Sequence, residues 1–144
     1  MRAVVQRVKE ANVLVQGQTH GSIQQGYLIY LGVHTDDTKE IALKMAHKIH
    51  QLRIFEDEQG KMNLSLTQVK GEILLISQFT LYGDTKGNNR PSFINAARPE
   101  VAEPLYALVY DALSAHHNVE KGVFGADMKV SSINDGPVTI IIEM

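Results

Sequence analysis

The run GYLIYLGV at 26–33 is apolar without interruption and has the length of a strand. A strand with one wet face alternates apolar and polar residues, so a run without alternation reads as a central strand buried on both faces. The chain must therefore arrange its other elements around a sheet. GEILLISQFTLY at 71–82 is the longest strand-like run. Val4, Val5, Val8, Val13 and Val15 mark shorter β-type runs, followed by the turn-rich GQTHG at 17–21, which reads as a hairpin. Residues 52–55 look extended, DEQG at 57–60 turns, and two final strands are predicted at 126–133 and 138–143.

Two helices break the pattern. Asp36-Asp37 caps a segment in which Ile41, Met45, Ile49 and Leu52 recur at helical spacing, with Glu40 near the positive end of the dipole. The second runs from Pro99 to His116, with Ala102, Leu105, Leu108, Val109, Ala112 and Leu113 on one face. Pro99 suits a first-turn position, whereas Pro104 would remove an interior hydrogen bond and predicts a kink or a late start. Two helices among about seven or eight strands make an α+β fold with largely antiparallel sheets that can curl into a barrel. No linker, repeat or low-complexity segment divides the chain, so residues 1–144 are expected to form a single domain.

Composition narrows the function. A chain of 144 residues buries roughly two-thirds of its unfolded surface in one core and needs no staples. Without cysteine there is no disulfide, thiolate nucleophile or thiolate metal ligand, which suits a reducing compartment. Arg2, Arg7, Lys9 and Glu10 interrupt the N-terminal segment, which is thus no signal peptide, and no stretch approaches membrane-spanning length. A soluble, cytoplasmic protein with no membrane partner is expected. The net charge of −2 argues against a generic nucleic-acid coat. Arg2, Arg7, Lys9, Lys86, Arg90, Arg98, Lys121 and Lys129 are the cations from which a local patch would be built; scattered, they are simply solvated surface.

Standard catalytic signatures are absent. His47 and His50 are three apart on the first helix, but no third ligand is predictable beside them, and a solvated helix face explains them. His116-His117 is explained as a cap on the second helix. There is neither a phosphate-binding glycine loop nor a nucleophile elbow. The candidate is SQFTLYGDTKGNNRPSF at 77–93. Ser77, Gln78 and Thr80 are hydrogen-bonding side chains at the end of an apolar strand, and burying each without a partner would cost about 1 to 3 kcal/mol. Either the following polar loop satisfies them or they floor a ligand pocket. A second oddity is NDGPVTIII at 134–142, where a strong β-branched run opens on Gly136-Pro137 although proline cannot donate to a sheet ladder. Ordinary turn chemistry is one explanation.

SQFTL at 77–81, RPSF at 90–93, FGADM at 124–128 and NDGPVT at 134–139, together with QRV at 6–8 and GKMNLS at 60–65, resemble the D-aminoacyl-tRNA deacylase family along the whole chain in order, spacing and length. The resemblance implies a homodimer in which a cis Gly136-Pro137 dipeptide reaches into the partner's active site. Its two carbonyl oxygens would accept from the substrate α-ammonium while its bulk excludes an L side chain, a selection by repulsion that ignores side-chain identity. Arg7 would hold the dipeptide in place, unless it is a surface charge.

The implied reaction is hydrolysis of the ester between a D-amino acid, or glycine mischarged on tRNA-Ala, and the terminal adenosine of tRNA. Backbone N–H groups near Phe79 and Thr80 would hold the carbonyl oxygen, and the substrate 2′-OH would activate water. Thr80 is open to two readings, nucleophile or positioning residue, with the second preferred because no base is predictable beside it. Ser77 and Gln78 would shape the pocket and bind adenosine, and Phe124 and Met128 would be its walls or else core packing. No cofactor and no metal are called for. Two rival classes remain: a conventional Ser/Thr hydrolase using Thr80, and a non-catalytic RNA-binding module.

Overall fold

A computed structural model describes every residue from Met1 to Met144. The strands are β1 (Arg2–Val15), β2 (Gln18–Ile23), β3 (Gly26–Gly32), β4 (Arg53–Glu56), β5 (Met62–Ser65), β6 (Glu72–Ser77), β7 (Val119–Lys121) and β8 (Lys129–Glu143), and the helices are α1 (Lys39–Gln51) and α2 (Pro99–Ser114). The main sheet runs β2-β1-β3-β6-β7, with β8 along the other edge of β1, and it curls into a nearly closed, barrel-like form. β4 and β5 make a separate small ribbon.

β3 sits where its sequence requires. Tyr27, Ile29 and Leu31 face a large core shared with both helices, and Leu28 faces a smaller core inside the curled sheet. β6 repeats the division, with Ile73 and Leu75 on one side and Leu74 and Ile76 on the other. Both faces are apolar because both are covered. Truncating such a residue, Leu74→Ala for example, would cost about 2 to 5 kcal/mol.

Several expectations are corrected. The largely antiparallel pairing holds for β1 with β2, β3 and β8 and for β4 with β5, but β3–β6 and β6–β7 are parallel, so the centre of the main sheet is mixed. The N-terminal turn is Gln16-Gly17, both at positive φ, the backbone of a tight hairpin; GQTHG therefore mostly belongs to β2. The run at 71–82 does not stay extended: β6 ends at Ser77, and Phe79–Tyr82 forms a 3-10 turn. The cap of α1 is Thr38, whose hydroxyl accepts from the Ile41 N–H, while Asp37 accepts from the His34 N–H instead. α2 begins at Pro99 and runs through Pro104, which lies early enough in the helix to forfeit only the bond to the Glu100 carbonyl. The two strands expected at the C-terminus are the single strand β8.

β8 remains one strand because its Gly-Pro segment bulges out of the ladder. Gln6 pairs with Thr139 and Val8 with Asn134, so only Arg7 stands opposite residues 135–138. A bulge lets proline lie in a paired strand without leaving a neighbour's carbonyl unsatisfied.

Candidate active site

The candidate residues fall into two places. The first is a cleft of about 570 Å³ at the C-terminal ends of β3 and β6. Both strands stop there, and the 3-10 turn and the start of α2 add to the lining. Ser77, Gln78 and Phe79 lie on one side, Phe124 and Met128 on another, and Phe93, Ala97, Arg98 and Tyr106 close it. Its lining is mainly apolar with a few polar groups, Ser77, Gln78, Arg98 and Asp127 among them, as small-molecule sites usually are.

Phe124 and Met128 combine both readings given to them. Each lines the cleft, and each packs against a core, Phe124 against the larger and Met128 against the smaller. The Phe124 ring lies 5.9 Å from that of Tyr106, whose hydroxyl donates to the Leu75 carbonyl at 2.8 Å. Burial pushes the Tyr106 hydroxyl well above the usual tyrosine range, so it is a neutral donor and no base. Phe79 and Phe93 meet edge to face with centroids 5.1 Å apart. Phe79 is 57% exposed, an unusual state for an aromatic ring beside a cleft.

Thr80 is not among the lining residues. Its hydroxyl is bonded by the Gln78 side-chain amide at 2.5 Å, and neither histidine nor carboxylate bonds it. The turn itself is tied down from behind: the Gln78 N–H donates to Leu31 O at 2.9 Å, and Arg2 Nη1 donates to Leu81 O at 2.6 Å. The first N–H groups of a helical turn lack partners within it, and here these belong to Phe79 and Thr80.

The second place is the bulge of β8. The Gly136-Pro137 peptide bond is cis, and both residues are exposed. Gly136 has φ +130°, a region almost reserved for glycine, and an added Cβ would lie 2.8 Å from Val138 Cγ2 and 3.2 Å from Arg7 Nη2. Arg7 is no surface charge, being only 5% exposed. Its guanidinium donates to Ile54 O at 2.8 Å and to Asp135 O at 3.1 Å, with the Asp135 carboxylate 3.6 Å away. A buried cation spent on two backbone carbonyls fixes the segment just before the dipeptide.

Gly136, Pro137 and Arg7 do not line the cleft of their own chain. Arg7 pairs with Tyr27, four to six residues along β3 from the cleft-lining Leu31 and Val33, roughly 13 to 20 Å at the rise of a strand. The structure thus brings together Ser77, Gln78, Phe79, Phe124 and Met128 in the cleft, with Thr80 bonded to Gln78 beside them, and gathers Arg7, Gly136 and Pro137 at the bulge.

A sequence profile of the family described as D-Tyr-tRNA(Tyr) deacylase matches residues 4–143. The chain belongs to that family. It is 52% identical over 144 residues to a D-aminoacyl-tRNA deacylase of Thermosipho africanus (strain TCF52B), covering 99% of this chain and 97% of that protein. A solved structure described as a c-Myc DNA unwinding element binding protein is 40% identical with a TM-score of 0.94, over 100% of this chain and 99% of the other. A probable eukaryotic D-amino acid tRNA deacylase has the same fold at 18% identity, with a TM-score of 0.86 over 99% and 98% of the two chains.

The histidines depart from expectation. His50 is not simply solvated, and His116-His117, whose backbone N–H groups both donate to the Leu113 carbonyl at the end of α2, do more than cap it: His50 Nδ1 lies 2.9 Å from His117 Nε2, and the His50 ring stacks on His116 at 4.3 Å. Burial, and then the neighbouring imidazoles, hold His50 and His117 below the ordinary value. The cluster lies away from both the cleft and the bulge. Sequence reading also missed Phe93, Ala97, Arg98 and Tyr106, although RPSF pointed at the first of them.

Proposed function

We propose that this chain hydrolyses the ester of D-aminoacyl-tRNA, releasing free D-amino acid and tRNA, and does so as a homodimer in which the bulge of one copy completes the cleft of the other. The observation supporting this reading is the separation just described: the Gly136-Pro137 bulge is exposed and does not line the cleft of its own chain. β8 pairs with β1 along one edge, and it exposes Ile133 and Ile141 at 54% and 65%. A second copy of the chain would cover these and receive the bulge.

In the completed site, the N–H groups of Phe79 and Thr80 hold the ester carbonyl oxygen and stabilise the charge that develops there. Water, activated by the vicinal 2′-OH of the substrate ribose, attacks the carbonyl carbon; the tetrahedral intermediate collapses and the 3′ oxygen leaves, taking a proton. The ester is activated relative to an amide, so orientation and charge stabilisation suffice without a strong nucleophile. Thr80, bonded to Gln78 and to no base, positions the turn. Ser77, Gln78, Phe124 and Met128 receive the terminal adenosine. The partner's Gly-Pro carbonyls accept from the α-ammonium, and their bulk leaves no room for an L side chain; glycine, with none, is admitted, including glycine mischarged on tRNA-Ala.

Release of amino acid from matched D- and L-tyrosyl-tRNA by chelator-treated protein tests the reading. Fast hydrolysis of the D form with the L form spared is expected. Equal hydrolysis of both would indicate an unselective esterase, and hydrolysis of neither would leave a nucleic-acid-binding module.

A further inference from the structure

Residues 83–98, whose C-terminal part from Phe93 to Arg98 contributes to the cleft lining, carry three cations, Lys86, Arg90 and Arg98, against one carboxylate, Asp84, in a chain whose net charge is −2. That carboxylate accepts from the Lys86 backbone N–H at 2.8 Å. None of the three cations takes part in an ion pair, so their charges are free to meet an anion.

The segment is built as an arm with a fixed base. Asp84 and Ser92 exchange backbone hydrogen bonds of 2.8 and 2.9 Å, closing a loop whose tip holds Lys86 and Arg90. Below that bridge, an added Cβ on Gly83 would lie 3.0 Å from the Phe93 ring, and Phe93 packs on Phe79 at the cleft mouth. Arg98 itself lines the cleft. Arg98 thus lies at the cleft, while Lys86 and Arg90 sit in the loop beyond the bridge, outside the lining.

We infer that this arm is the docking surface for the acceptor strand of tRNA, with Lys86 and Arg90 contacting phosphates outside the cleft while the terminal adenosine lies within it. The inference rests on the deacylase reading and adds the residues that hold the rest of the RNA. Phosphate contacts position a nucleic acid without reading its sequence, and each one lost lowers the salt dependence of binding by roughly 0.7 for a single strand. An enzyme serving many tRNAs needs this type of contact.

The test compares two substrates, D-tyrosyl-tRNA and D-tyrosyl-adenosine, which shares the ester and lacks the phosphates. For the Lys86→Gln/Arg90→Gln variant, KM for the tRNA should rise on the order of tenfold near 0.1 M salt, with a shallower salt slope, while D-tyrosyl-adenosine is hydrolysed as by the wild type. Both substitutions are at exposed loop positions, and the adenosine ester reports whether the cleft is intact. Lys48→Gln/Lys61→Gln, the same charge change on α1 and beside β5, should leave both substrates unaffected. A wild-type KM and salt slope in the arm variant would overturn the proposal, as would an equal loss on both substrates or an equal loss in the control variant. Failure of the wild type to hydrolyse either ester would instead overturn the deacylase reading, and this proposal with it.

Discussion

The cleft and the bulge are built of different materials. The cleft is a concave, mainly apolar space made of side chains from several elements, Ile76 and Ser77 on β6, Ala102 and Tyr106 on α2, and Phe124 and Met128 in the segment before β8. The bulge is convex and made of backbone, held by one buried arginine through two carbonyls. A surface of side chains adapts to what it binds. Backbone fixed by a buried ion is hard to displace, which is what rejection by bulk requires. In the proposed reading, recognition of the nucleotide falls to the cleft and rejection of the wrong hand to the bulge, and a partner chain unites them.

The largest effect should come from Arg7. Arg7→Ala leaves Ile54 O and Asp135 O without their donor in a buried place, and a loss of on the order of 3 kcal/mol in urea unfolding is expected, together with loss of preference for the D substrate. A variant with wild-type stability would remove the basis for calling the bulge rigid. Gly136→Ala should be next. Positive φ and the Cβ clash with Val138 predict about 1 to 3 kcal/mol of strain, and displacement of the dipeptide should lower the D-to-L rate ratio more than it raises KM for the tRNA. Were KM to change and the ratio to stay, the two regions would not divide the work as described.

At the cleft, Thr80→Ala should reduce kcat by less than about tenfold, since a group that steadies a turn is partly replaceable; removing a covalent nucleophile costs on the order of 10⁶. A loss of that size would make Thr80 the nucleophile. The smallest effect belongs to neither region. His50 and His117 have their protonation disfavoured in the folded state relative to the ordinary 6.5, so the unfolded chain binds more protons as pH falls past that value. The stability they contribute is complete above about 6.5 and declines as pH drops towards their folded values. Melting temperatures between pH 7.5 and 5.5 should show this decline, reduced in His50→Gln, with the D-to-L ratio of that variant unchanged at pH 7.5.

The same contrast explains what could be read from the chain beforehand. The uninterrupted apolar runs announced β3 and β6, and the helical spacing of Ile41, Met45 and Ile49 announced α1, because local pattern follows burial directly. Partners in a sheet are not a local property, and the parallel pairing of β3 with β6 left no mark in either strand. The end of β6 was misplaced because Phe79, Leu81 and Tyr82 extend the apolar pattern past Ser77 into the 3-10 turn. β8 was split in two because Asp135-Gly136 carries the chemistry of a turn, and only the opposed Arg7 shows that it is a bulge. Tyr106 reaches the cleft from α2, outside the 77–93 stretch, so nothing around it marks it.

The central claim is that the bulge acts on another chain's cleft. Mixed dimers test it most directly: Gly136→Ala supplies chains with an intact cleft and an altered bulge, and Gln78→Ala supplies the reverse. Each variant alone should show little D-selective hydrolysis of tyrosyl-tRNA. Co-refolding the two should restore it in part, since in a mixed dimer one cleft of wild-type sequence meets one bulge of wild-type sequence. If bulge and cleft acted within one chain, no mixed dimer would contain a complete site, and the mixture would be no more active or selective than its components.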